Sequence, residues 1–341
     1  MKVLKIIGKV LAVLGITVAA LLILCIVAIF LMEKGPSESA KVLFVRSVNE
    51  TSRMGFLGRM FLSEDEVNSI MTSSDMVELE EGQTSDTSLI DVDDNASDEP
   101  IEIIEVSGSS FNGVLMIVHD PSKVFCGTIE EFGEFQGTNV QGIIDRYTSM
   151  GYDIAGGVNG GDFIDNGANS SFTAQPLGAV ISEGEVVFSD NGDGPYHLCG
   201  FTEDNVFVMG NITLTEAEEM GIRDAIYCVH NTGPFLVMDG EALVNEVPDS
   251  ATYGGGKNPR TAIGQRADGA ILLLVVDGRQ ASSLGATFKD LAYTMLEYGA
   301  VNAAAMDGGT SSQMIYQNEI LNHPYAPTGP RKCPTAWLVK N

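Results

Sequence analysis

Two short apolar runs, residues 270–276 and 301–306, constrain this chain most. Each stops on an Asp-Gly pair, Asp277-Gly278 and Asp307-Gly308, and a helix-forming segment lies between them. An unbroken run of Ala, Ile, Leu and Val at 270–276 is too short to span a bilayer and suits a buried strand. A helix is predicted over about 287–298. Thr287 is its N-cap, Asp290 three residues on completes a capping box, and Gly299 supplies a left-handed stop. Leu291, Met295 and Tyr298 share one face, suited to packing on a sheet. Strand, helix and strand in this order form a crossover that lets the strands lie side by side and parallel. Asp277 and Asp307 then emerge at one edge, where sheets of this kind place ligands. An Asp-Gly pair alone is an ordinary turn. Two at one edge, with Arg260, Arg279 and the hydroxyls of Thr310, Ser311 and Ser312 nearby, point to a site.

Four blocks stand in order along the chain. They are Asn159-Gly160-Gly161-Asp162-Phe163, then Asn258-Pro259-Arg260-Thr261-Ala262-Ile263-Gly264, then Asp277-Gly278-Arg279, then Asp307-Gly308-Gly309-Thr310-Ser311-Ser312. Together they resemble the phosphodiester glycosidases, over roughly residues 105 to 339. The resemblance implies that the Asn-Gly-Gly turn lines the active site, with Asn159, Gly160, Asp162 and Thr261 among the substrate contacts. Two departures stand out. Asp162 occupies a position where the family usually has an aromatic residue, and Thr310 one where it usually has a third glycine.

A sugar 1-phosphodiester makes three demands that these residues meet. Its phosphate carries one negative charge, which suits guanidinium groups, and Arg260 and Arg279 are the candidates. The amides and hydroxyls of residues 308–312 offer an anion-holding turn. The glycosidic bond breaks through an oxocarbenium-like state that carboxylates stabilise, and Asp307 and Asp277 are the candidates, Asp307 the more directly. The reading is a glycoside hydrolase acting on a sugar-1-phosphodiester in cell-envelope glycans, with no cofactor and no metal. A non-catalytic polysaccharide-binding or exopolysaccharide assembly factor using the same cleft is the alternative. The four histidines are scattered, and a lone histidine is usually structural or solvent-facing. His323 draws interest because it follows the Asp307 turn by a short strand and hairpin.

Composition sets the remaining bounds. The formal net charge is −27, distributed as +5 over residues 1–59, −13 over 60–100 and −19 over 101–341. Nucleic acid is excluded as a partner, because binding it needs clustered cations. Residues 10–32 carry no charge, long enough for a transmembrane helix. Lys2, Lys5 and Lys9 precede that run, which places the N-terminus in the cytoplasm and the rest of the chain outside as an uncleaved, single-pass anchor. Residues 33–73 read as a helical stalk, with Ser37 and Ser63 as helix caps. Residues 74–100, acidic and free of aromatics, read as a disordered tether. Asp91 to Asn95 only superficially resembles a calcium loop, lacking its glycine and flanking helices.

Residues 101–341 form the folded domain. A helix is predicted over 141–150, a β-meander over 179–211 and a closing strand at 335–339. The class is α+β, a mixed sheet core with packed helices. Outside the membrane, Cys126, Cys199, Cys228 and Cys333 could form disulfides in any of three full pairings.

Overall fold

A computed structural model describes residues 2–51, 54–72, 77–92, 100–164, 172–228, 235–244, 255–326 and 329–341. The chain divides into two compact units, the first built on residues before 74 and the second on those after. In the first, one helix runs over Lys2–Lys34, and its part from Lys5 on is long and apolar enough to cross a membrane. Ser37 caps the next helix, Glu38–Asn49, by accepting from the Ala40 amide. Ser63 and Glu66 cap Glu64–Thr72 reciprocally. Val42, Val45, Leu62, Val67 and Ile70 form a small core between these helices. Part of the apolar segment before Leu62 folds back on the long helix, where Phe61 meets Phe30 edge-on and donates its amide to Glu33.

The second unit is α+β, with three antiparallel sheets around a shared core. The largest has seven strands in the order Ile101–Ser107, Asn112–Val118, Ile271–Val276, Arg260–Arg266, Ala300–Met306, Phe235–Met238, Glu241–Ala242. Its strand Ile271–Val276 explains the unbroken apolar run. Ile271, Leu273 and Val275 face the shared core, while Leu272, Leu274 and Val276 face the helix Phe288–Glu297. A strand covered on both faces has no position left for a polar side chain. That helix carries the predicted Thr287–Asp290 capping box and ends at Gly299 with φ 87°.

A five-stranded sheet, Glu319–Ile320, Met314–Tyr316, Ile154–Asn159, Thr335–Lys340, Val124–Thr128, is backed by the helix Val140–Ser149. The predicted closing strand lies inside this sheet, with Trp337 fully buried. The other five-stranded sheet replaces the predicted simple meander. Ala179–Ser182 pairs with Glu185–Ser189, Tyr196–Thr202 pairs with Phe207–Ile212, and Ile222–Tyr227 inserts between the two hairpins. Every ladder is antiparallel among the described residues, where the sequence reading expects a mixed sheet.

Residues 77–92 correct the expectation of a disordered tether. Their backbone donates to Leu243, Asn211, Met209 and Ala267, and Leu79 and Ile90 are buried. Average composition hides two apolar anchors and a row of backbone hydrogen bonds. Residues 74–76 and 93–99, the rest of that expected tether, lie outside the described residues. Cys126, Cys199 and Cys228 sit in the shared core and Cys333 beneath the Val140–Ser149 helix, all four as thiols.

Candidate active site

The site lies where two sheets meet, and one strand dictates its layout. Arg260–Arg266 runs between Ile271–Val276 and Ala300–Met306 and is antiparallel to both. The two flanking strands therefore point the same way without being neighbours, which corrects the expectation of an adjacent parallel pair. Arg260 lies opposite Val276, and Thr261 opposite Met306. Asp277 and Asp307 thus leave the sheet at the same edge, two strand spacings or about 10 Å apart.

The residues just before that middle strand tie the two corners together. A β-carbon on Gly278 would lie 2.5 Å from the Pro259 nitrogen, and one on Gly308 2.8 Å from the Pro259 oxygen. The Gly309 amide donates to that same oxygen over 2.9 Å. Glycine at both corners is therefore a packing requirement, because the Asn258-Pro259 segment passes against each.

Asp277 is buried. Its Oδ1 accepts from Asn322 Nδ2 at 3.0 Å and from the His323 amide at 2.8 Å. Its Oδ2 lies 3.5 Å from His323 Nδ1. Asp307 is half-buried, and its Oδ1 accepts from the Gly308 amide at 2.8 Å. Its main chain is held from both sides: its amide donates to Gly160 O, and its carbonyl accepts from Asn159 Nδ2 at 2.7 Å. Behind it, burial pushes the Cys333 thiol up to about 12, with the Asp307 charge adding to the effect.

Several expected substrate contacts instead turn inward. Asn159 is fully buried, and its Oδ1 accepts from Thr261 Oγ1 at 2.8 Å and the Gln313 amide at 3.2 Å. Its amide group is taken up by Thr261, Asp307 and Gln313 within the protein. Thr261 is also fully buried, and Gly160 exchanges backbone hydrogen bonds with Thr335 and Asp307. Asp162 is half-buried and caps the Phe163 amide. Within the expected anion-holding turn, the Gly308 amide donates to Asp307 Oδ1 and the Gly309 amide to Pro259 O. Ser311 and Ser312 are buried, whereas Thr310 is half-buried at the surface of the turn.

The two arginines separate. Arg260 is 7% exposed, donates to Ala286 O and Gly256 O, and lies 3.9 Å above the Phe288 ring. These contacts hold its guanidinium at the helix N-terminus. Arg279, with φ 58°, hooks Nε and Nη2 onto Asn258 Oδ1 at 3.1 and 3.0 Å. A β-carbon on Gly309 would lie 3.3 Å from Arg279 Nη1 and Nη2, so this guanidinium lies along the Asp307 turn.

Sequence reasoning missed Asn322, Gln313 and Arg331. Asn322 ties Asp277 to the Ser312 carbonyl and accepts from the Met314 amide. Arg331 is half-buried, its guanidinium 5.9 Å from the Phe163 ring centroid and its carbonyl accepting from Gln313 Nε2. Ser312 Oγ and Gln313 Oε1 are buried with no hydrogen-bond partner among the described residues, a place where water or a polar ligand fits. Among those residues no group of three His, Cys, Asp or Glu converges to hold a metal ion.

Beside Asp277, a shallow cavity of about 560 Å³ is lined by Gln280, Ile320, Asn322, His323 and Tyr325. A larger one, about 720 Å³, lies beside Asp153, Ile154 and Asn341. Ile154 begins the strand that ends at Asn159, so this larger cavity is at the far end from both corners.

Comparison with known proteins places the fold and the family. The family described as phosphodiester glycosidase matches residues 152–340, more than half of the chain and all four blocks. The zebrafish N-acetylglucosamine-1-phosphodiester alpha-N-acetylglucosaminidase catalytic domain, auto-inhibited by its pro-peptide, superposes with a TM-score of 0.56 at 21% identity. That match covers 76% of this chain and 88% of the zebrafish one, and it shows a shared fold. The SPbeta prophage-derived uncharacterized protein YomE of Bacillus subtilis (strain 168) is 43% identical over 67 residues. That stretch is 20% of this chain and 10% of YomE.

Proposed function

We propose that this chain, which belongs to the phosphodiester glycosidase family, hydrolyses a sugar-1-phosphodiester in a cell-envelope glycan while anchored by its N-terminal helix with the domain outside the membrane. The observation that carries the reading is the convergence of Asp277, Asp307 and Arg279 on one sheet edge, tied together by the Asn258-Pro259 segment.

Arg279, already oriented by Asn258, takes the phosphate, and its planar fork suits two phosphate oxygens at once. Thr310 stands at the surface of the same turn. The sugar then lies toward Asp307, whose carboxylate stabilises positive charge developing at the anomeric carbon and accepts a proton from the attacking water. The leaving phosphate is stable as an anion, so holding it matters more here than in the cleavage of an ordinary glycoside. Asn159 and Thr261 keep the Asp307 turn in place from beneath.

The N-terminal helix suits an anchor by length and apolarity, and the lysines before its apolar run favour a cytoplasmic N-terminus. An outward-facing domain meets envelope glycans, in which phosphodiester linkages join sugars to polymer chains.

The test uses the full chain in detergent micelles with a panel of sugar-1-phosphate diesters. Release of free sugar together with a phosphomonoester supports the reading. Saturable binding of the panel with no release favours the polysaccharide-binding or assembly alternative, and neither binding nor release sinks both.

A further inference from the structure

We propose that His323 is the proton donor to the departing phosphate and that Asp277 acts through it as a positioning residue, an assignment that rests on the hydrolase reading above. The main chain of His323 is pinned at both ends. Its amide donates to Asp277 Oδ1 at 2.8 Å, and its carbonyl accepts from Gln280 Nε2 at 2.6 Å. The preceding Asn322 donates to the same Oδ1 and to the Ser312 carbonyl, and Pro324 follows with its fixed φ.

On this fixed backbone the imidazole is 86% exposed, yet its Nδ1 lies 3.5 Å from Oδ2 of a carboxylate only 7% exposed. An incidental surface histidine needs no such backing. A carboxylate oxygen on the Nδ1 side of the ring favours the tautomer with its proton on Nδ1 and orients the imidazole. His323 lines the 560 Å³ cavity, which has room for a leaving group. The titratable groups around it are Asp277 at the sheet edge and Tyr325 in the same cavity wall, while Arg279 turns its guanidinium to Asn258. With Asp307 at one corner and His323 at the other, the scissile bond has one group on each side.

The step balances as a hydrolysis. The bond between the anomeric carbon and the phosphate oxygen breaks, and its electron pair stays on that oxygen. The Nε2 proton of the imidazolium goes to the same oxygen. Water gives its hydroxyl to the anomeric carbon and its other proton to Asp307, which passes it to solvent as solvent returns one to His323. One water is consumed, and one sugar and one phosphomonoester are formed.

The experiment measures the kcat pH profile of the full chain in micelles on an alkyl sugar-1-phosphate diester, for wild type, His323→Gln and Asp277→Asn. The histidine ring nitrogen signals of wild type and Asp277→Asn are also recorded by NMR, which reads the tautomer. In wild type, kcat should fall on the alkaline side as the imidazolium is lost. His323→Gln, a change at an exposed side chain, should lower kcat by about 100-fold and remove that alkaline limb, with KM little changed. Asp277→Asn, which removes the carboxylate facing Nδ1, should lower kcat by about 10-fold with KM little changed and should alter the balance of the two His323 ring tautomers. An active wild type whose rate and profile survive His323→Gln overturns the assignment alone. A kcat and a tautomer balance that both stay unchanged in Asp277→Asn overturn the pairing. A wild type that releases no sugar overturns the hydrolase reading, and the assignment falls with it.

Discussion

Asn159 holds Asp307 by its main chain: the Asn159 Nδ2 donates to the Asp307 carbonyl at 2.7 Å, from a side chain that is fully buried. The same amide serves Thr261 and Gln313 through its oxygen. Asn159→Ala therefore orphans a carbonyl, a hydroxyl and a backbone N–H inside the protein. Each such group costs about 1–3 kcal/mol. The expected outcome is a loss of at least about 3 kcal/mol in urea unfolding, together with a fall in kcat as the Asp307 turn loosens. A variant with the wild-type unfolding midpoint would contradict the bracing role.

Asp307 itself should separate chemistry from stability. It is half-buried, and its Oδ1 accepts from the Gly308 amide, a bond that an asparagine oxygen at the same position can keep. Asp307→Asn should retain the wild-type thermal midpoint while kcat falls by about 100-fold to 10,000-fold. Sugar release from a phosphodiester substrate measures the second quantity and circular dichroism the first. Full activity in a folded variant removes Asp307 from the mechanism.

Much of this edge was legible because it is written in local rules. The Thr287–Asp290 box, the Gly299 stop and the two apolar runs each declare themselves within a few residues, and all appear as read. What was not legible depends on pairing across long stretches of sequence. Nothing near residue 270 says that Arg260–Arg266, not Ala300–Met306, is the neighbour of Ile271–Val276. Nothing in the sequence around Asn159 says that a polar side chain in a glycine turn will be sealed under Thr261 and Gln313. Asn322 escaped notice because it stands in an ordinary-looking loop and acquires its meaning only where it meets Asp277, 45 positions away. The stretch 77–92 shows the complementary failure. Its composition matches a disordered segment, yet two apolar side chains and a set of backbone partners suffice to seat it.

The two arginines of the site should give opposite phenotypes. Arg260 stacks on Phe288 and donates to two backbone carbonyls, so Arg260→Met leaves those acceptors without their donor and removes the cation–π contact. A stability loss of about 2 kcal/mol is expected, with KM of the folded enzyme little altered. Arg279 instead presents its fork along the Asp307 turn. Arg279→Lys keeps the charge and loses the planar two-point grip, so KM should rise about tenfold with little change in the unfolding midpoint. Denaturant titration and steady-state kinetics on both variants decide the matter; a KM effect in Arg260→Met as large as that in Arg279→Lys would reject the division.

A last prediction concerns pH and lies away from the site. Burial raises the Asp224 carboxyl to about 6, against the opposing pull of the Arg223 guanidinium beside it and the Glu183 amide. In the unfolded chain an aspartate titrates near 3.9. Between those values the native state holds a proton that the unfolded state has released, so stability falls as pH rises through the window. The contribution is complete below about pH 4 and gone above about pH 6, a change of order 2–3 kcal/mol for a carboxyl this deeply buried. Asp224→Asn has no proton to lose there. Whatever its absolute stability, the difference between Asp224→Asn and wild type should move in favour of the variant by that amount as pH is raised from about 4 to about 7. Urea midpoints taken at intervals across the range measure it directly. A difference that stays flat would mean that the Arg223 ion pair, not burial, dominates the environment of Asp224.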